Sequence, residues 1–194
     1  MKILVFILFG VIFLTLIMAN FLKAEKVDEP SYELINKFES IEIRQYKKII
    51  VATTIKKSSY KDATYSGFRT LANYIFGNND KEVKIPMTAP VITTMPNNES
   101  IEITFIMSAD YSLDNLPKPH SDDILFKEIT LGKVAVIKFG MWATPKRIMK
   151  MKGELEKYLF ENNIQTSSDY LVAQYNSPWV IPPFRRNEII ISIY

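Results

Sequence analysis

The residue types that carry most enzyme chemistry are scarce in this chain. It has 194 residues, no cysteine and one histidine, His120. These counts exclude disulfides, a cysteine nucleophile and a multi-histidine metal site within one chain. The carboxylate pairs Asp28-Glu29 and Asp122-Asp123 lie in loop-like sequence, and neither a GxSxG elbow nor a glycine-rich phosphate loop occurs. We therefore expect a binding protein and not an enzyme, without a protein-bound metal ion.

The segment KIPMTAPV, residues 84–91, is the first candidate for a binding role. It reads as an apolar strand, but Pro86 and Pro90 have no N–H group to donate to a sheet. Such a segment is expected at a sheet edge or a bulge. There, Met87 can face a cleft instead of the protein core.

The N-terminal sequence predicts a segment that anchors the protein in a membrane or directs it across one. Ile3–Leu22 runs 20 residues without a charge, the length needed to cross a bilayer. The alternative is a cleaved signal peptide, although Ala19 and Ala24 give a poor cleavage site. We expect a transmembrane anchor (a hydrophobic helix) or signal segment over 1–23, a tether over 24–31 and one domain over 32–194. The location is then the membrane through a single N-terminal span, or the protein is exported if the segment is cleaved.

Charge gives no support for a nucleic-acid partner. The chain has 24 basic and 21 acidic residues. Lys2 and Lys23 flank the apolar run, and setting them aside leaves 22 basic residues against the same 21 acids. The remaining sequence is nearly balanced, without the basic excess of nucleic-acid-binding domains.

The rest of the chain reads twice as strand–helix–strand–strand, from 49 to 108 and from 134 to 194. A hairpin of YELINKF and IEIRQY precedes the first unit. A helix is predicted over 62–76, because its apolar residues recur at i, i+3, i+4 and i+7. A second helix is predicted to start at Thr144-Pro145, a capping hydroxyl followed by a first-turn proline. The pattern predicts an α+β fold in which two units share one antiparallel sheet or flattened barrel, with both helices packed on it.

Several motifs resemble the SOUL family of haem-binding proteins. They are GFRTLANYIFGNN (67–79) with KIPMTAPV (84–91), YELINKFESIEIRQY (32–46), YSLDNLPKP (111–119) and YNSPWVIPPFRRNEI (175–189). The resemblance spans about residue 30 to the C-terminus. It implies a distorted antiparallel β-barrel of two pseudo-repeats flanked by two helices. It also implies non-covalent, reversible binding of haem or a related tetrapyrrole.

The resemblance places the pocket beside the first helix, with basic groups at its mouth. Carried over to this chain, the predicted cofactor-binding residues are Tyr65, Phe68, Arg69, Leu71, Ala72, Ile75, Met87, Trp179 and Val180. Arg69 is the expected donor to a haem propionate, and Arg185 with Arg186 could also clamp a carboxylate. The helix face could equally be ordinary core. His120 matches no axial-ligand position of the family.

The sequence therefore leaves two functions open. The first is a tetrapyrrole carrier, buffer or scavenger at the cell membrane. The second is a membrane-associated interaction or scaffold protein that keeps the SOUL fold without strong haem binding. The second is favoured by Asn73 and by Val180 or Ile181, which stand where some family members have basic residues.

Overall fold

The computed structural model of the chain describes residues 27–194. The predicted anchor or signal segment and the first residues of the tether lie outside the described residues. In chain order the strands are β1 Tyr32–Phe38, β2 Ile41–Tyr46, β3 Lys48–Lys56, β4 Val91–Thr94, β5 Ile101–Ile106, β6 Leu125–Thr130, β7 Lys133–Phe139, β8 Thr166–Gln174 and β9 Asn187–Ile193. Helix α1 (Tyr60–Ile75) lies between β3 and β4, and helix α2 (Pro145–Glu161) lies between β7 and β8. A 3₁₀ turn, Pro182–Phe184, precedes β9.

The nine strands form one antiparallel sheet in the order β1-β2-β7-β9-β8-β4-β5-β3-β6. The predicted repeat is visible in this order, because β3-β5-β4 mirrors β7-β9-β8 about the central β8–β4 pair. Each repeat also has a preceding strand that crosses to the other repeat. Strand β2 pairs with β7, and β6 pairs with β3. The exchange of these strands joins the two units into one domain.

Two short connections force the sheet to curl. Strands β2 and β3 stand six positions apart in the sheet, about 29 Å if it were flat. Only Lys47 connects them, and Leu131-Gly132 alone connects β6 to β7 across the same number of positions. The two connections meet, since the amide of Tyr46 donates to the carbonyl of Gly132 at 2.9 Å. Gly132 has a φ of 63°, which glycine adopts without strain.

The predicted β-barrel is wrong in one respect, because the sheet is not closed. Closure would require the free edge of β2 to pair with β6. Instead β1 occupies that edge, and β6 pairs with β3 alone among the described strands. Residues 33–38 of β1 are exposed, so β1 ends the sheet and does not bridge it.

The curled sheet separates three apolar cores. On the outer face α2 packs on β2, β7, β8 and β9 through Ile148, Leu155 and Leu159, and α1 packs on β3 and β5. The inner face forms the third core from both repeats: Tyr46, Val51, Ile92, Ile106, Leu131, Val134, Val136, Ala173 and Ile190. The interior of the curl is therefore filled by side chains. Within residues 27–194, no helix combines the length and the apolar character that crossing a bilayer requires.

Most predicted elements are found close to their predicted bounds. Helix α2 begins as expected, with the Thr144 hydroxyl accepting a hydrogen bond from the amide of Arg147 at 3.3 Å. The segment KIPMTAPV differs from the prediction of a strand. Residues 84–90 lie outside the named strands, and β4 begins only at Val91.

Candidate functional site

Helix α1 owes its position to its inward residues. The hydroxyl of Ser59 caps it by accepting a hydrogen bond from the amide of Asp62 at 3.3 Å. Ala63 and Leu71 are fully buried against the sheet. Gly67 lies so close to β5 that a Cβ atom there would stand 2.5 Å from Cδ1 of Ile103. The helix is therefore held tightly by one face.

The structure divides the predicted haem-contacting residues of α1 between two faces. Leu71 and Ile75 are 0% and 1% exposed and belong to the core beneath the helix. Tyr65 is 65% exposed on the opposite face. Phe68 and Ala72 lie at the boundary between these faces. Phe68 is half-buried, with its ring edge-on to Phe105 at a centroid distance of 5.3 Å.

The outward face of α1 carries a stripe that the sequence analysis did not recognise in full. Tyr65, Arg69 and Phe76 recur at i, i+4 and i+11, which places them along one line of a helix, while Ala72 at i+7 is buried. Phe76 is 60% exposed at the C-terminal end of this line. The sequence pattern indicates Phe76 only as the end of the helix, although its spacing from Tyr65 and Arg69 places it on the same line.

The residues of KIPMTAPV extend this apolar surface. The amide of Ile85 donates to the carbonyl of Ile75 at 2.8 Å, which holds the segment against the C-terminal end of α1. Met87 follows two residues later and is exposed, as is Val83 just before. The Thr88 hydroxyl then donates to the carbonyl of Ile106 on β5. We call Tyr65, Phe68, Phe76, Val83 and Met87 together the α1 surface.

Cationic side chains border the α1 surface. Arg69 lies in a shallow depression of about 450 Å³ lined by Asp62, Tyr65, Ser66, Arg69, Thr70 and Asn73. Its guanidinium carbon is 5.8 Å from the centroid of the Tyr65 ring. Arg69 forms no ion pair with another described residue, and the same holds for the exposed Lys84. Both cations can therefore receive an acidic group from a ligand.

Trp179 and Val180 lie in the proline-rich loop between β8 and β9. This loop leaves the sheet at the same end as KIPMTAPV, because Val91 pairs with Gln174. Trp179 is 85% exposed. The carbonyl of Val180 accepts a hydrogen bond from Nη1 of Arg185 at 3.1 Å. Neither residue forms a hydrogen bond with α1 among the described residues, and their haem contact remains a prediction.

Arg185 and Arg186 are both engaged within the protein. Arg185 is buried and donates to backbone carbonyls of the proline-rich loop. Arg186 pairs with Glu29 of the tether at 2.9 Å and with Glu188 at 3.0 Å. Neither guanidinium is thus presented as a clamp for a ligand carboxylate.

No local sequence pattern indicates the buried ion network on the inner face. Arg44 and Glu188 are each 0% exposed and form two hydrogen bonds of 2.9 Å. Glu42 receives hydrogen bonds from Arg44 and from Lys138, and the Tyr175 hydroxyl donates to Glu188. Burial alone would raise the pKa of Glu188, but the hydrogen bonds and charge of Arg44, with Tyr175 and Arg186, outweigh it and lower that pKa. The network is internally satisfied, which indicates a structural role.

His120 is exposed in the loop before β6. Within 27–194, no group of three or more histidine, aspartate or glutamate side chains could hold a metal ion.

The fold and the α1 surface together define a class of small α+β binding domain, with an exposed apolar face bordered by cations. Comparison with known proteins narrows this class. The family of the SOUL heme-binding protein matches residues 27–192. The chain therefore belongs to the SOUL haem-binding family, and this membership supports haem or tetrapyrrole binding.

Two named relatives agree with this assignment, and two solved structures share the fold. The chain is 31% identical to human (Homo sapiens) heme-binding protein 2 over 147 residues, covering 72% of this chain and 71% of that protein. The mouse (Mus musculus) heme-binding protein 2 is 28% identical over 158 residues, covering 77% and 76%. The fold is similar to the EcmrR C-terminal domain, with a TM-score of 0.62 at 9% identity and coverage of 84% and 98%. It is also similar to a hydrolase from Listeria innocua, with a TM-score of 0.58 at 5% identity and coverage of 82% and 94%. At these identities the two structures show the fold alone.

Proposed function

We propose that this chain binds haem or a related tetrapyrrole non-covalently on the α1 surface, as a carrier, buffer or scavenger. The observation that supports it is the placing of exposed apolar side chains beside unpaired cations. Phe76, Val83 and Met87 are 60%, 42% and 38% exposed at the C-terminal end of α1. Arg69 lies on the same stripe as Phe76. The proposal is one of binding, and it assigns no catalytic residue.

The chemistry of these residues fits a tetrapyrrole. The macrocycle is a flat apolar plate with acidic substituents, so it gains most from covering apolar and aromatic side chains. Phe68, Phe76 and Met87 would cover the plate. Arg69 and Lys84 would receive the propionates, with Arg able to bind a carboxylate through two N–H groups. When bound, haem would supply a redox-active iron and an intense visible absorption.

We also propose that the domain is held at a membrane by Ile3–Leu22. The support is in the sequence: 20 consecutive residues without a charge, enough to span a bilayer. Only residues 23–26 separate this run from Val27, and four residues extend at most about 14 Å. The α+β domain would therefore lie close to the bilayer surface.

A haemin titration of the full chain in lipid nanodiscs tests the binding proposal. The Soret absorbance is followed against empty nanodiscs, which correct for haem dissolved in lipid. The matched pair of variants is Phe76→Ser and Phe160→Ser, because Phe160 is 84% exposed on α2. We expect saturable binding of one haem that Phe76→Ser weakens and Phe160→Ser leaves unchanged. Unsaturable uptake shared by all three proteins would contradict a specific site.

A further inference from the structure

Two loops of the domain form an exposed aromatic patch outside the α1 surface. We define the tryptophan patch as Met141, Trp142, Trp179, Ile181 and Phe184, whose exposed fractions run from 39% to 85%. Met141 and Trp142 precede α2, and the other three belong to the proline-rich loop. The two tryptophans are the only ones in the chain.

The patch is held by buried polar side chains. The Arg185 guanidinium donates to the carbonyls of Asn176, Ser177 and Val180 at 3.1–3.3 Å and lies 4.2 Å from the centroid of the Trp142 ring. Asn187 donates its side-chain amide to the carbonyls of Phe139 and Met141.

A backbone hydrogen bond also joins the two loops. The amide of Met141 donates to the carbonyl of Pro182 at 3.0 Å. The loops are therefore fixed to each other while their large apolar side chains point outward, and this favours a role in binding.

The patch has exposed cations on the side of α2, whereas the charge of Arg186 is met by Glu29 and Glu188. Residues 140–147, GMWATPKR, and 175–186, YNSPWVIPPFRR, contain four basic residues and no acid. Lys146 and Arg147 are exposed in the first turn of α2 and form no ion pair with another described residue. Tryptophan with cations beside it is typical of surfaces that enter the headgroup region of a bilayer. Anionic lipid headgroups would complement these cations.

The N-terminal tether leads from the same end of the domain. Glu29 pairs with Arg186 at 2.9 Å, next to the Arg185 that holds the patch. Six residues separate Glu29 from Leu22, the last residue of the apolar run. If that run lies in a bilayer, the end of the domain that carries the patch is the end nearest the lipid.

We propose that the tryptophan patch rests in the interfacial layer of an anionic membrane, as a second contact that orients the anchored domain. This inference depends on the proposed anchoring by Ile3–Leu22. It leaves the α1 surface for the tetrapyrrole and gives Trp179 a lipid contact in place of the predicted haem contact.

Tryptophan fluorescence tests the inference without added labels, since both reporters lie in the patch. The full chain is reconstituted into phosphatidylcholine–phosphatidylglycerol vesicles whose acyl chains either carry bromine, a quencher, or do not. We expect bromine to lower the emission, because indoles at the interface lie close to the acyl chains. The variant Ile181→Asp/Phe184→Asp should lose most of this quenching, whereas Phe160→Ser should keep it.

Flotation of the same vesicles at high salt separates the two proposals. If the chain floats but is equally fluorescent in both lipids, this result supports the anchor and overturns the patch contact. A chain that does not float contradicts the anchor and the patch contact together. Loss of haemin binding in Trp179→Ser, without bromine quenching in the wild type, would assign the patch to haem and also overturn the inference.

Discussion

Arg44 on β2 and Glu188 on β9 form a two-pronged ion pair across the intervening strand β7. Nη1 and Nη2 of the arginine each lie 2.9 Å from a carboxylate oxygen, and both side chains are fully buried on the inner face of the sheet. The pair joins strands that do not hydrogen-bond to each other. It fixes the curl of the sheet at the end where the tether and the proline-rich loop meet.

Removing one partner of this pair should strongly lower the free energy of unfolding. Glu188→Gln leaves the buried Arg44 without its main counter-charge, and such losses cost about 3–5 kcal/mol in the free energy of unfolding. The surface pair Lys48–Glu128 is the control, because Glu128→Gln breaks a contact between exposed side chains that solvent screens. Thermal unfolding followed by circular dichroism measures both. Equal effects of the two substitutions would contradict a structural role for the buried pair.

The same network predicts a loss of stability in acid. Contacts with Arg44 lower the pKa of Glu188 from its ordinary value of 4.5 despite burial, and contacts with Lys138 and Arg44 do so for Glu42. The pKa of each carboxyl group is lower in the folded than in the unfolded protein. The contribution of these groups to the free energy of unfolding is therefore complete above about pH 4.5, and it is lost as the pH falls through the folded pKa. Unfolding free energies from about pH 7 to pH 3 should therefore fall steeply at the acid end. If the unfolding free energy of Glu188→Gln depended on pH as steeply as that of the wild type, other groups would be responsible for the loss of stability in acid.

Alanine substitutions at two helical glycines should change the stability of the protein in opposite directions. At Gly67 a Cβ atom would stand 2.5 Å from Ile103, so Gly67→Ala should overpack the α1 core and destabilise by about 1–3 kcal/mol. At Gly153 in α2 nothing lies within 4 Å, so Gly153→Ala should stabilise by up to about 1 kcal/mol through helix propensity. Shifts in the thermal midpoint measure both. A stabilised Gly67→Ala protein would mean that α1 packs less closely on β5 than described.

Much of the fold could be predicted because its signals are local. The hairpin of β1 and β2 and the Thr144-Pro145 start of α2 each follow from residues within a few positions. The exchange of β2 and β6 between repeats could not be predicted, because strand alternation does not indicate which strands pair. The sequence could not predict that the sheet stays open for the same reason, because only the pairing of β1 with β2 prevents β2 from closing a barrel with β6.

The candidate site was predictable only in part. The apolar spacing identified α1, yet it could not separate Leu71 and Ile75, which pack in the core, from Phe68 and Ala72 at its margin. The ion pair of Arg44 and Glu188 joins residues 144 positions apart. Nothing in either local sequence indicates the other.

Charge reversal at Arg69 should weaken haem binding. If Arg69 receives a propionate, Arg69→Glu replaces an attraction by a repulsion and should raise the dissociation constant roughly tenfold at low salt. The difference should shrink as salt is added, because exposed charges are screened. Arg147→Glu on α2 is the matched control. A haemin titration at two salt concentrations gives both values, and equal affinities for the two variants would exclude Arg69 from the site.

Hydrogen–deuterium exchange of the full chain in nanodiscs, with and without haemin, tests the central claim most directly. The tetrapyrrole on the α1 surface should slow amide exchange in peptides covering residues 65–76 and 84–90. Peptides from α2, residues 145–161, serve as the internal reference and should exchange at the same rate in both states. Protection confined to α2, or no protection with haemin bound, would contradict a haem site on α1 and favour the interaction-protein alternative.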